Sequence, residues 1–336
     1  MHSPTIGRRG AAALAAAVLA TVLAACGGSA SDPATGTGAP GSASSAAGTK
    51  KITVGVIPII DVAPLYLGIQ KGFFSSRGLE ITPAPAQGGS AIVPAVLAGE
   101  NQFGFSNVVS LLTAREKGVP LVAVVGGASS TGDPAKDVNA VLVAKGSPLK
   151  TAKDLEGKKV AINALNNIGD TTIKTAVKKA GGDPSKVTFV EMPFPDMPAQ
   201  LAAGKVDAAW ESEPFRSQIL AAGGSILFDN LTETYPKLQI ATYFTSEKLK
   251  AEDPATVTAF VEGMEESLAY AVANPDEARA VLATYTKIPP EVAAKVVLPA
   301  WPAELDAQSA TAVGEAARSF GTLTKAPDVA GLFAGA

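Results

Sequence analysis

One stretch of this chain occurs twice in degenerate form, and that echo constrains the fold more than any other feature. Pro94 to Phe105 (PAVLAGENQFGF) is echoed by Pro198 to Trp210 (PAQLAAGKVDAAW), with one extra residue in the second copy. Each copy reads as a short helix, a glycine stop and a strand. Two related α/β units are the economical explanation. The length of 336 residues and a hydrophobic content of 47% suit two lobes of ordinary domain size.

The rest of the body fits that division. Strand-like runs at Ile52 to Ile57, Leu79 to Thr82, Gln102 to Phe105, Pro120 to Val125, Ala140 to Ala144, Lys159 to Asn163, Val187 to Glu191 and Val206 to Trp210 alternate with helical runs. Such alternation predicts an α/β fold with largely parallel sheets covered by helices. The spacing of Ile173, Ala176, Val177 and Ala180 predicts a helix over 170–180, stopped by Gly181-Gly182. After Phe244 the pattern turns helical, opening at Asp253-Pro254 with an apolar stripe of Val257, Phe260, Val261, Met264, Leu268 and Val272.

In open α/β sheets ligands bind beyond the carboxyl ends of the strands, so a cleft is expected between the lobes. The echo then sets Ser106 and Asn107, past the first-lobe strand, opposite Glu211 and Ser212 of the second. Ser106 and Ser212 also suit the capping of the helices that follow, a duty compatible with ligand contact.

Inventory excludes much chemistry. The only histidine is His2 and the only cysteine is Cys26. Both fall in a segment with the form of an export signal: Arg8-Arg9, then an uncharged 15-residue apolar run from Ala11 to Ala25, short of the roughly 20 residues of a membrane span. Beyond Cys26 there is no material for a Ser-His-Asp triad, a cysteine nucleophile, a His/Cys zinc site or a disulfide. No metal or cofactor is expected. Leu23-Ala24-Ala25-Cys26-Gly27 resembles the lipobox of bacterial lipoproteins, which makes Cys26 the lipidation site. Residues 1–25 are thus read as signal peptide and 26–50, rich in Gly, Ser, Ala, Thr and Pro, as a lipidated flexible tether. Without Arg8 and Arg9 the chain carries 26 basic against 31 acidic residues, a formal charge of −5, which offers no field for nucleic acid.

Several segments together resemble the substrate-binding proteins of ABC importers for nitrate, sulfonates and taurine, a family that includes binders of thiamine pyrimidine precursors. They are Pro64-Leu65-Tyr66-Leu67-Gly68, Lys71-Gly72-Phe73-Phe74, Gly78-Leu79-Glu80-Ile81, Leu97-Ala98-Gly99-Glu100, Asp154 to Val160, and Gly204 to Trp210 with Glu213-Pro214-Phe215. The resemblance covers Ile52 to about Tyr285. It implies a two-lobed periplasmic-binding-protein fold of type II with two crossover strands and a hinge. Residues 51–142 and 243–336 would form lobe 1 and 143–242 lobe 2, with crossings near Val143 and Thr242. It also implies export to the outer face of the cytoplasmic membrane, capture of a small solute by a monomer, and delivery to permease and ATPase subunits.

The loops expected to line the cleft contain Asp61, Asp133, Asp170, Asp196, Glu211 and Glu213 and no Lys or Arg. An anion would meet repulsion there unless helix N-termini outweighed it. Sulfonate, taurine and nitrate are therefore only the default that the resemblance supplies. The residues favour a neutral or amine-bearing solute such as a pyrimidine-type compound, stacked on Trp210. Candidate ligand residues are Asp61, Gln87, Ser90, Ser106, Asn107, Asn163, Asn167, Asp196, Trp210 and Glu211. Of these, Gln87 and Ser90 lie in a Gln-Gly-Gly-Ser run that resembles the stretch offering amides and a hydroxyl to ligand in the family. The rival reading is a lyase or dehydratase of the same fold, with Asp61 and Glu211 as acid and base. Against it, the pyrimidine-forming proteins that resemble this fold need histidine.

Overall fold

The computed structural model describes residues 48–335. The export segment, Cys26 and most of the tether lie outside the described residues. Among the described residues ten strands are formed: β1 (Lys50–Val56), β2 (Leu79–Pro85), β3 (Phe103–Asn107), β4 (Leu121–Ser129), β5 (Asn139–Val143), β6 (Lys159–Ile162), β7 (Thr188–Glu191), β8 (Ala208–Ser212), β9 (Ser225–Phe228) and β10 (Gln239–Ser246). They make two five-stranded sheets of matching design, ordered β2-β1-β3-β10-β4 and β7-β6-β8-β5-β9. Three strands of each pair in parallel, while β10 and β5 run antiparallel to both neighbours. One reversed strand per sheet is the only departure from a parallel arrangement.

The reversed strands are the two that follow a passage from one sheet to the other. Val143 ends β5 inside the second sheet and Thr242 lies within β10 of the first. The chain therefore passes between sheets earlier, over 130–138 and 229–238, in segments without strand pairing in either sheet, the second of which contains the short helix Leu231–Thr234. The two passages touch, Ser130 N donating to Leu238 O at 2.8 Å.

Helices cover both faces of the sheets, which is why β3, β4, β5, β8 and nearly all of β10 are buried from end to end. In the first lobe α1 (Ala63–Lys71), α2 (Gly89–Leu97) and α3 (Val108–Glu116) follow β1, β2 and β3. In the second, α4 (Ile168–Lys179), α5 (Met197–Ala202) and α6 (Phe215–Ala221) follow β6, β7 and β8. The repeated unit is thus α2–β3 in one lobe and α5–β8 in the other.

The long helix Pro254–Ala273 is capped by Asp253, whose side chain accepts from Thr256 N. Its Phe260 stacks on Phe103 at 3.8 Å between ring centres. It also lies tightly on α1, because Gly68 leaves room for Ser267 where a Cβ would collide. Val272 departs from the expected stripe and is 61% exposed; Ala271 takes the inward position at the end of the helix. A second C-terminal helix, Ala307–Ser319, packs on both α3 and α4 and so bridges the lobes. No helix among the described residues is long and apolar enough to cross a membrane.

Candidate functional site

The strand ends of the two sheets meet and enclose an inner chamber. Its first-lobe wall contains Ile57, Ile59, Asp61, Phe105 and Asn107; Ile240 and Ala241 come from the start of β10. Asn139, Asn163, Ile168, Phe194 and Trp210 complete it from the second lobe. The cavity volume is about 20 Å³, enough for a water molecule. Outward it adjoins a wider mouth of about 300 Å³ that shares Ile57, Ile59 and Phe194 and is walled by Pro58, Pro85, Pro193, Pro195 and Phe215.

The lobes are closed on one another. Ile60 N donates to Glu213 O at 2.9 Å, and Ser212 Oγ donates to Asp61 Oδ1 at 3.3 Å. Gln87 and Asn163 exchange two hydrogen bonds: Gln87 Nε2 to Asn163 O at 3.1 Å, and Asn163 Nδ2 to Gln87 O at 3.3 Å. Gly88 eases that approach: a Cβ there would stand 3.2 Å from Asn163 Nδ2, and the amide would have to give by a few tenths of an ångström. The glycines of the Gln-Gly-Gly-Ser run thus serve contact between backbone and neighbouring side chains: Gly89 lies flat on Ser106, with no space for a Cβ.

Asp61 sits in a single 3-10 turn after β1, 1% exposed. Burial pushes its carboxyl up to about 7; the Ser212 hydroxyl partly offsets this, and the Asp137 carboxyl adds to it. The Asp61 carbonyl is fixed by Trp301 Nε1 at 3.2 Å. Tyr243, buried nearby with no partner for its hydroxyl, is held protonated by burial and by Asp61.

The asparagines differ in what they leave free. Asn107 caps α3, accepting from Ser110 N and donating to Ser110 Oγ, both at 2.9 Å. Asn167 caps α4 through Gly169 N at 2.8 Å and donates to Asn163 Oδ1 at 3.0 Å; it orients Asn163 without lining the chamber. Asn139 donates to Glu211 O at 3.3 Å and leaves Oδ1 buried without a partner. Trp210 is packed against Gly169 and tilted on Phe194 at 5.7 Å. It is 3% exposed, so instead of an open stacking face it offers the indole Nε1–H, which is buried and unpaired.

The remaining candidates are not in the chamber wall. Ser106 is buried beneath Gly89, its hydroxyl turned to Asn107 O. Ser90 and Asp196 are exposed and line neither the chamber nor the mouth. Gln87 lines the mouth. Glu211 is wholly buried and absent from both walls, one residue along the strand from Trp210 and so on the other face of the sheet. Its carboxyl has no hydrogen-bond partner, and burial with Glu213 close by pushes it well above the usual range.

The capping roles expected of Ser106 and Ser212 fall to Asn107 and Glu213. β3 and β8 run two residues further than their apolar cores, which draws both serines into the strands. Glu213 accepts from Ser217 N and Oγ, from Val297 N, and from Arg216 Nη1 at 3.0 Å. Arg216, the only buried Lys or Arg among the described residues, is spent on that pair, and no cationic side chain lines the chamber or its mouth.

Asn139, Ile240 and Ala241 escaped the sequence reading. They belong to the starts of the reversed strands, whereas the carboxyl-end rule directs attention only to the ends of parallel ones. The available signal was the passage itself: a strand entered from the other lobe begins at the cleft.

The family described as NMT1/THI5 like matches residues 59–278. The chain is 24% identical over 223 residues to a formylaminopyrimidine-binding protein of Halalkalibacterium halodurans, covering 66% of this chain and 65% of that protein. It is also 24% identical over 228 residues to a 4-amino-5-hydroxymethyl-2-methylpyrimidine phosphate synthase of Saccharomyces cerevisiae, covering 64% of each. The chain thus spans just under two thirds of the length of both relatives. In three dimensions it is similar to the periplasmic aliphatic sulphonate binding protein SsuA of Escherichia coli, with a TM-score of 0.69, 20% identity, and 84% and 97% of the two chains covered. With residues 59–278 matched and two five-stranded α/β sheets, the chain belongs to the NMT1/THI5-like family and has the periplasmic-binding-protein fold.

Proposed function

We propose that the protein is an extracytoplasmic solute-binding lipoprotein of an ABC importer, anchored through Cys26. It traps a neutral or amine-bearing nitrogen heteroaromatic of pyrimidine type between its lobes. The observation that carries this reading is the inner chamber: one carboxyl, three asparagines, a buried unpaired indole N–H and a buried unpaired amide oxygen, with no cation. Buried polar atoms without partners are costly, and a solute with a ring-nitrogen acceptor and an amino donor satisfies both. Trp210 Nε1 donates to the ring nitrogen, Asn139 Oδ1 accepts from the amino group, and Asp61 accepts a second proton or pairs with a protonated ring. A sulfonate or nitrate would bring a second negative charge beside Asp61 with no counter-ion. The name of the Halalkalibacterium relative supports the same ligand class.

Binding without bond breaking fits the carboxyls. An acid–base pair must share one reacting centre, and Asp61 and Glu211 lie on different sides of the β8 sheet. The chamber as closed holds no more than a water molecule, so the lobes must part to admit a ring, breaking the Gln87–Asn163 exchange, and close around it with a wider chamber than the empty protein has. The folded body, without residues 1–47, is to be screened by calorimetry against 4-aminopyrimidines, ethanesulfonate, taurine and nitrate. Binding of the aminopyrimidines and not of the anions is expected; binding of the anions alone would reverse the assignment.

A further inference from the structure

The closed lobes leave far more room outside the inner chamber than within it. The mouth holds about 300 Å³ against 20 Å³ inside, and its walls are four prolines, two isoleucines and two phenylalanines with Gln87 and Ala86 at the rim. A ring confined to the inner chamber would leave this apolar surface wet. Beyond it lies a further hollow of about 430 Å³ that shares Pro58, Pro195 and Phe215 with the mouth. There the character changes: Gln218, Thr286 and Lys287 join the wall, and Lys287 is the only charged side chain apart from Asp61 lining any of these three spaces, which share wall residues in succession.

We propose that the solute is an extended molecule, a conclusion that rests on the heteroaromatic reading above. Its ring occupies the chamber beside Asp61, an apolar chain several carbons long runs between the Pro58 and Pro195 walls past Phe215, and an anionic terminus ends at Lys287. The two charged residues stand at opposite ends of one groove and order the molecule head to tail. Each methylene buried along the proline walls strengthens binding about fourfold. The exposed Lys287 contributes a factor of about two to five to an anionic end, as solvated ion pairs do.

The test is a calorimetric series on the body without residues 1–47: 4-aminopyrimidine bare, then carrying methyl-terminated chains of two, four and six carbons, then the same chains ending in carboxylate. Affinity is expected to climb with chain length. The carboxylate series is expected to exceed the methyl series at the length that reaches Lys287, and that advantage to vanish in Lys287→Gln while the methyl series is unchanged. Binding of the bare ring with affinity flat or falling along the chains overturns the extended solute and leaves the heteroaromatic reading intact. A carboxylate advantage that survives Lys287→Gln overturns the assigned tail. Failure of every compound, the bare ring included, overturns the underlying reading and this one with it.

Discussion

Replacing Asp61 with asparagine keeps the shape of the residue and removes its charge. In the folded protein the carboxyl titrates at about 7 against an ordinary 3.8. Between those values the folded state holds a proton that the unfolded chain has released, so this group's contribution to stability is greatest below 3.8, falls as pH rises, and levels off above about 7. The displacement is worth on the order of 4 kcal/mol, an upper figure because parted lobes rehydrate the carboxylate. Asp61→Asn should therefore match the parent near pH 4 and exceed it at pH 8. Urea unfolding at pH 4.5, 6, 7 and 8 measures this; only the difference between the two proteins is informative, because Glu211, Glu213 and Asp229 are raised as well. On the proposed function the same substitution deletes a charge-assisted hydrogen bond to an amine-bearing ring, worth about 1.5–3 kcal/mol, or roughly 10- to 100-fold in affinity. Parallel pH profiles together with unchanged aminopyrimidine binding would refute both the burial argument and the placement of the head group.

Trp210→Phe removes the unpaired N–H together with the benzo ring that lies on Gly169; calorimetry should show affinity for the aminopyrimidine head falling at least about two- to tenfold, and urea unfolding should show a loss of about 0.5–3 kcal/mol from the space left in the core. Glu211→Gln should leave that affinity within twofold, because the side chain is on the far face of its strand, and a tenfold loss would bring Glu211 back into the site. Gly88→Leu sets a side chain where Asn163 now approaches, so small-angle scattering of the empty protein should show a larger radius of gyration than the parent, at unchanged secondary structure by circular dichroism.

Much of the fold is legible because it depends on periodicity. The alternation of apolar runs marks the strands, and the repeated proline-to-glycine segment marks equivalent positions of two lobes. The site is legible only in part, and for a physical reason. Asp61, Asn107, Asn163 and Trp210 stand at strand ends or first turns, where the carboxyl-end rule reaches them. Glu211 and Ser106 satisfy the same rule in sequence, yet a strand turns successive side chains to opposite faces, and a shift of one residue separates chamber from core. Asn167 takes a role that only a three-dimensional arrangement reveals, capping α4 while holding the amide of Asn163. The role of Arg216 is similarly invisible in the sequence: whether a lone arginine reads as an anion receptor or as a buried partner depends on the Glu213 carboxylate three residues before it.

The raised acids also bear on the contact between the lobes. Asp61 lies on the contact between the lobes, and Asp229 and Asp137 lie one in each passage between the sheets. Burial, with Asp137 alongside, pushes Asp229 up to about 7, like Asp61. Asp229 Oδ1 is held by Leu231 N and Thr232 N while Oδ2 is buried without a partner; Asp137 is tied to Ser130, Thr131 N and Val138 N. Closing the empty protein above pH 7 therefore confines carboxylates that water would otherwise hydrate, whereas an amine-bearing ring beside Asp61 relieves the first of those costs. Rising pH should shift the empty protein toward separated lobes and leave the loaded protein closed. A fluorophore pair, one on each lobe, read between pH 5.5 and 8 with and without 4-aminopyrimidine, measures it. The expected result is a distance that grows with pH only in the empty protein and grows less in Asp61→Asn. A distance independent of pH in every sample would mean that the closed contact is indifferent to these charges, and that the ligand must drive closure through the apolar walls alone.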